Sequence, residues 1–148
     1  MKPKENLLWS IAFPGFGQIL NGKYLKGIFF VLLEIIINVQ SHFNKIIFFS
    51  FNGEISKAID HTEYQWLMFY PCVYFFSMWD AYKDAGGGKD PYSYLPFVIC
   101  AYFVTVGLMY SAKVRIFGIY LGTVWFPMLC VIPGVLVGVL LKMIVRNR

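Results

Sequence analysis

The stretch Pro14-Gly15-Phe16-Gly17-Gln18-Ile19-Leu20-Asn21-Gly22-Lys23-Tyr24-Leu25-Lys26-Gly27 decides how this chain folds. It sets a corner rich in glycine and amide side chains between two apolar runs. Gly15, Gly17, Gly22 and Gly27 permit turns and close approaches that a side chain would block, while Lys23 and Lys26 suit water and lipid headgroups. The segment predicts a tight hairpin at a membrane surface.

The rest of the chain agrees with that setting. Of 148 residues, 58% are hydrophobic and 14% charged, outside the usual balance of a soluble domain. Residues 27–43, 64–82, 92–112 and 116–141 are apolar runs that approach or exceed the ~20 residues needed to cross a bilayer. The net charge of +5 comes from lysines and arginines scattered between these runs, with no basic stripe of interleaved aromatics, so anionic lipid is expected as their partner and nucleic acid is not. Cys72, Cys100 and Cys130 lie in separate runs, which argues against disulfides and zinc and for small apolar residues in helix packing. Lys2 and Lys4 before an apolar stretch imitate a signal peptide, but no small-x-small cleavage site follows, and retention is expected.

Topology turns on whether residues 6–20 cross. If they do, the basic residues divide six to seven between the two sides, which is no bias. If they dip in and return, or lie along the interface, Lys2, Lys4, Lys23, Lys26, Lys83, Lys89, Lys142, Arg146 and Arg148 share one side. Lys45, Lys57, Lys113 and Arg115 then share the other, and this nine-to-four division obeys the positive-inside rule. The run is also short, ~22 Å as a helix, and Pro14 interrupts it. The expected fold is an all-α integral membrane bundle of four spans plus an N-terminal re-entrant or interfacial helix, with both termini cytoplasmic.

Between the first two spans, residues 44–63 predict an interfacial apolar piece and then a polar turn at Asn52-Gly53. The opposite connection, Gly86-Gly87-Gly88-Lys89-Asp90-Pro91, reads as a flexible turn. Its Gly88-Lys89 imitates a phosphate loop, but Lys83 stands where that pattern needs glycine and Asp90 where it needs a hydroxyl. In the last run Gly118 and Gly122, and again Gly134 and Gly138, are four apart and predict one close-packing helix face, turned either into the monomer or toward a second copy. Pro127 and Pro133 are expected to kink that span.

The pattern Pro14-Gly15-x-Gly17-Gln18, then Asn21-Gly22 and Lys26-Gly27, resembles the hairpin of bacterial TM-two-domain-like membrane proteins. Trp79-Asp80-Ala81-Tyr82-Lys83-Asp84-Ala85 resembles the Asp-Ala-Tyr-x-x-Ala ending of a later helix in the same family. The resemblance covers residues 7–85 and implies a bacterial cytoplasmic membrane protein whose glycine-rich hairpin meets an aspartate from that helix end, with no enzymatic activity implied. It makes residues 1–85 a TM-two-like hairpin with two spans, and the four-span reading makes residues 86–148 a two-span hairpin, within a single membrane domain. The expected latch comprises Pro14, Gly15, Gly17, Gln18, Asn21, Gly22, Asp80 and Asp84, with amide and ammonium donors of Gln18, Asn21 and Lys23 satisfying the carboxylates.

Glu34 is the one acidic residue inside an apolar run, ~10 Å past Gly27, with Asn38 one turn on. An intramembrane carboxyl is a functional-site hypothesis by default. It either locks helices together or handles protons or substrate. His42 and His61, with Glu54, Asp60 and Glu63, match no metal-ligand spacing and read as solvated residues. No Ser-His-Asp, Cys-His or zincin arrangement is present, so no catalytic residue, cofactor or metal is expected. The reading is a small non-enzymatic multi-pass protein, an accessory or scaffold subunit of a membrane complex, partnered by lipid and by another protein or a second copy. The alternative is a small oligomeric transporter or channel using Glu34 and Asn38 in a polar path.

Overall fold

The computed structural model describes residues 2–147. Among the described residues the regular elements are helices apart from one minimal two-stranded hairpin. Pro3 opens α1 (Pro3–Ala12), where its missing N–H costs nothing, and the extended Phe13 before Pro14 closes it. Gly15, at φ 99°, reverses the chain into α2 (Phe16–Leu20). A side chain there would also stand 2.5 Å from the carbonyl oxygen of Gly27. Glycine is needed for both reasons.

Asn21-Gly22 then turns into α3 (Tyr24–Ser41), which ends at a left-handed His42. The next segment takes the predicted form: an apolar helix α4 (Phe43–Phe51), the Asn52-Gly53 turn, and α5 (Ile55–Asp60). The expected span at 64–82 is divided into α6 (Tyr64–Leu67) and α7 (Tyr70–Asp84). Pro71 explains the break, because it offers no N–H to the Leu67 carbonyl one turn earlier. After the 86–91 turn come α8 (Leu95–Tyr110), the strands β1 (Arg115–Ile116) and β2 (Ile119–Tyr120), and α9 (Gly122–Arg146), which runs uninterrupted through Pro127 and Pro133.

The strands correct one expectation. Gly118 is not on the last helix; it shares the turn between β1 and β2 with Phe117, both at positive φ, 80° and 50°. Two positive φ values in a two-residue loop are the geometry of a tight hairpin turn and are incompatible with a right-handed helix. Gly122 also has positive φ, 73°, and sits at the start of α9 against Ile55. Gly118 and Gly122 therefore form no helix face. Gly134 and Gly138 do, and they turn it into the monomer. A side chain at Gly138 would lie 2.5 Å from the Cα of Pro96, and one at Gly134 3.0 Å from the Cα of Cys100. Gly107 of α8 reciprocates against Cys130. This seam makes α8 and α9 the most extensively paired helices.

Two apolar clusters bind residues 1–85 to residues 86–148. Ile46, Ala58 and Leu67 pack with Leu108 and Val124 at one end of the bundle. Nearer the other end, Phe75 and Met78 pack with Cys100. Two helices, Tyr24–Ser41 and Gly122–Arg146, are long and apolar enough to cross a membrane; α8 is a shorter apolar helix.

Candidate functional site

The two sequence motifs are the two sides of one contact. α1 runs antiparallel to α7 as far as Tyr74, whose hydroxyl donates to the Ile11 carbonyl oxygen at 2.7 Å. α2 then brings the chain back. At the turn's return Gly17 lies flat against Ala81: a side chain on Gly17 would stand 2.7 Å from the Ala81 Cβ, 2.5 Å from Asn6 Oδ1 and 2.1 Å from Ser10 Oγ. Ala81, Asn6 and Ser10 are fully buried, so none of them can give way into solvent. Gly15 is inserted in the same manner between α2 and Gly27 of α3.

Close approach puts the amides within reach of α7. Gln18, fully buried, donates through Nε2 to the Ser77 carbonyl oxygen at 2.8 Å and to Asp80 Oδ2 at 3.1 Å. Asn21 donates through Nδ2 to the Ala81 carbonyl oxygen at 2.9 Å and accepts from Asn6 Nδ2. Lys26 closes the outer edge, with its ammonium 2.7 Å from Asp80 Oδ1 and 2.9 Å from Asp84 Oδ2. The lysine is half-exposed, whereas both carboxylates are mostly covered. Asp80 thus receives a neutral amide on one oxygen and a charged donor on the other, and Asp84 only the charged one.

The geometry redistributes the expected roles. Lys23 is replaced by Lys26, because α3 begins at Tyr24 and carries Lys26 round to the side of α7. Asn21 bonds a backbone carbonyl of α7 and no carboxylate. Pro14 is buried in the corner and Gly22, at φ 72°, turns in open space. Asn6, Ser10, Ser77 and Tyr74 were not anticipated. Asn6 and Ser10 had a signal: two polar residues four apart on a helix otherwise reading Leu7, Leu8, Trp9 and Ile11 share one face.

Glu34 and Asn38 do not act together. Asn38 pairs with Asn44 across the left-handed His42, its Nδ2 donating to Asn44 Oδ1 at 3.0 Å and its Oδ1 accepting from the Asn44 N–H at 3.3 Å. That exchange fixes the angle between α3 and α4. Glu34, one turn earlier on α3, is buried at 5% exposure beside Tyr70 of α7, and its Oε2 has no hydrogen-bond partner among the described residues. Among the described residues no three His, Cys, Asp or Glu side chains group closely enough to hold a metal ion.

No protein-family model, curated protein or solved structure matches the chain. The functional reading accordingly rests on the residues themselves.

Proposed function

We propose that the chain is a multi-pass protein of a bacterial cytoplasmic membrane, with four spans, α1–α2 as a re-entrant hairpin, and both termini cytoplasmic. In this reading it acts without catalysis, as an accessory or scaffold subunit of a membrane complex. The burial pattern carries the proposal. Buried side chains include Asn6, Ser10, Gln18, Ser41, Ser77, Ser111 and Thr123, whereas Leu25, Ile28, Phe29, Val39, Val98, Tyr102, Ile132 and Leu136 are more than half exposed. In water, so large an apolar surface is an aggregation hazard. In hydrocarbon the same arrangement is favourable, since polar groups must be satisfied internally and lipid tails solvate the outside.

Element lengths fit this solvent. α1 is ~15 Å long, half the ~30 Å hydrocarbon core, so it suits a dip and not a crossing. A re-entrant backbone is tolerated only where protein covers its polar groups. The Tyr74 hydroxyl on the Ile11 carbonyl oxygen is a contact of that kind. α6 and α7 together reach ~31 Å.

A scaffold role follows from how the polar seam is used. The donors of Gln18, Asn21 and Lys26 are committed to the two carboxylates and to backbone, so the seam fixes shape, with Gln18 Oε1 buried and without a partner among the described residues. The resemblance to TM-two-domain-like proteins implies no enzymatic activity. Resistance of the membrane-bound protein to alkaline carbonate, followed by affinity purification in mild detergent, tests the reading. Full release by carbonate, or a chain that purifies without a stoichiometric companion, counts against it. One observation favours the second reading, a small oligomeric transporter: the buried, unpartnered Oε2 of Glu34. Proton flux into liposomes that vanishes in Glu34→Gln would establish it in place of the scaffold.

A further inference from the structure

At the end of the bundle where α1 begins and α9 ends lies a cavity of about 480 Å³, lined by Lys2, Lys4, Lys89 and Lys142 together with the glycine loop 86–88. The polar seam described above does not use it. Four lysines line it against one carboxylate, Asp90, and that carboxylate is already shared by Lys142 at 3.5 Å and Arg146 at 4.0 Å. The lining therefore carries more positive than negative charge.

Its walls are held in place. Gly87 lies against the ring of Tyr82, and Gly88 against Trp79, at approaches too close for any side chain. The Ser93 hydroxyl donates to the Gly88 carbonyl oxygen at 3.0 Å. Positive φ at Gly86 and Gly88, 85° and 65°, folds the loop back on these aromatics. Trp79, Tyr82, Tyr92 and Tyr94 form a contiguous aromatic group at this level, and aromatic side chains of this kind mark the headgroup layer of a bilayer. The volume is ample for a phosphate with its glycerol substituent and falls within the range of small-molecule sites.

The geometry points to a binding site for the phosphate headgroup of an anionic phospholipid, held by Lys2, Lys4, Lys89 and Lys142 in the cytoplasmic leaflet. Basic pockets between helices on that side recognise anionic headgroups by charge, and the acyl chains would continue along the exposed apolar flanks of the bundle. The site deepens the membrane reading and rests on it. Its occupant also anchors the loop between α7 and α8 to the surface.

The test uses the full-length protein in uncharged detergent micelles, titrated with short-chain phosphatidylglycerol, with phosphatidylcholine of the same chain length, and with inorganic phosphate. Phosphatidylglycerol should bind at least about tenfold more tightly than phosphatidylcholine. Lys4→Gln and Lys89→Gln, both exposed side chains whose loss leaves the Asp90 ion pairs intact, should each weaken it about fivefold. Lys45→Gln and Lys57→Gln, at the opposite end, should leave it unchanged, and Lys89→Arg should restore it. Equal losses in all four glutamine variants, or none, would overturn the site. Inorganic phosphate binding as tightly as the lipid, with the same lysine dependence, would overturn the lipid assignment in favour of a free anion. Micelle binding does not require that the protein span a bilayer, so failure of the membrane reading would appear separately, as carbonate release.

Discussion

The Nε2 of Gln18 and the Oδ2 of Asp80, 62 positions apart in the chain, are joined by a 3.1 Å hydrogen bond at the point where the glycine hairpin meets α7. The same nitrogen reaches the Ser77 carbonyl oxygen, so one buried amide ties the hairpin to both the backbone and a carboxylate of the helix. Neither contact is possible unless Gly17 and Ala81 touch.

Removing Gln18 should therefore be expensive for so small a side chain. Gln18→Leu takes the amide donor from Asp80 Oδ2 and a second hydrogen bond from the Ser77 carbonyl, which keeps its partner within α7, a loss of about 1–3 kcal/mol for the unsatisfied carboxylate oxygen. Thermal unfolding in detergent should show a lower midpoint than in Asn52→Leu, whose parent amide bonds only to its own helix at Phe48. Equal midpoints would remove the hairpin's dependence on this bond.

Asp80 and Asp84 should separate in the same assay. Asp80 accepts from Gln18 and from Lys26, Asp84 from Lys26 alone, and exposed ion pairs contribute only ~0–1 kcal/mol. Asp80→Ala should lower folded yield and thermal midpoint more than Asp84→Ala does. The order reversed, or no difference, would rule out an amide-dependent latch.

Glycine substitutions should sort by contact and not by position in a motif. Gly17→Ala drives a methyl into Ser10, Asn6 and Ala81, and Gly138→Ala drives one into Pro96, each an overpacking of about 1–3 kcal/mol or more. Gly22→Ala meets nothing and carries only the strain of its 72° φ. Size-exclusion profiles should show Gly17→Ala and Gly138→Ala losing monodisperse protein while Gly22→Ala is mildly affected. Should Gly138→Ala change only the oligomeric state, its face would belong to an interface between copies and not to α8.

Topology is testable on a background without Cys72, Cys100 and Cys130. Single cysteines at positions 2, 23 and 147 should label from the cytoplasm, and one at position 57 from outside. A cysteine at position 23 reached from outside would mean that residues 6–20 cross.

Glu34 distinguishes the two functional readings. As a packing residue beside Tyr70 it needs a polar shape and no charge, so Glu34→Gln should keep the thermal midpoint within a few degrees, whereas Glu34→Lys buries an unpaired ammonium and should abolish folding. Liposome flux lost in a stably folded Glu34→Gln would favour transport.

How much of this was legible in the chain differs from place to place. The hairpin residues and Asp80 could be paired because the resemblance of the two motifs to TM-two-domain-like proteins implied that contact, and the four-span reading put both at one membrane surface. Lys26 in place of Lys23, and Asn21 on a carbonyl, could not, because a shift of three residues turns a side chain most of the way round a helix and only the start of α3 fixes that rotation. The run at 116–141 failed for a different reason: a short apolar segment reads equally as strand or helix, and Phe117-Gly118 took the turn.

By itself the sequence determined the helical composition, the apolar runs and the reversal at Gly15. These depend on local sterics and on net transfer preferences that every neighbourhood shares. Tertiary structure alone decided that Gly134 and Gly138 face α8, that Asn38 serves Asn44 and leaves Glu34 to Tyr70, and that four lysines distant in the chain share one cavity. Those outcomes depend on which faces of different helices meet, and that is settled by packing all the elements at once.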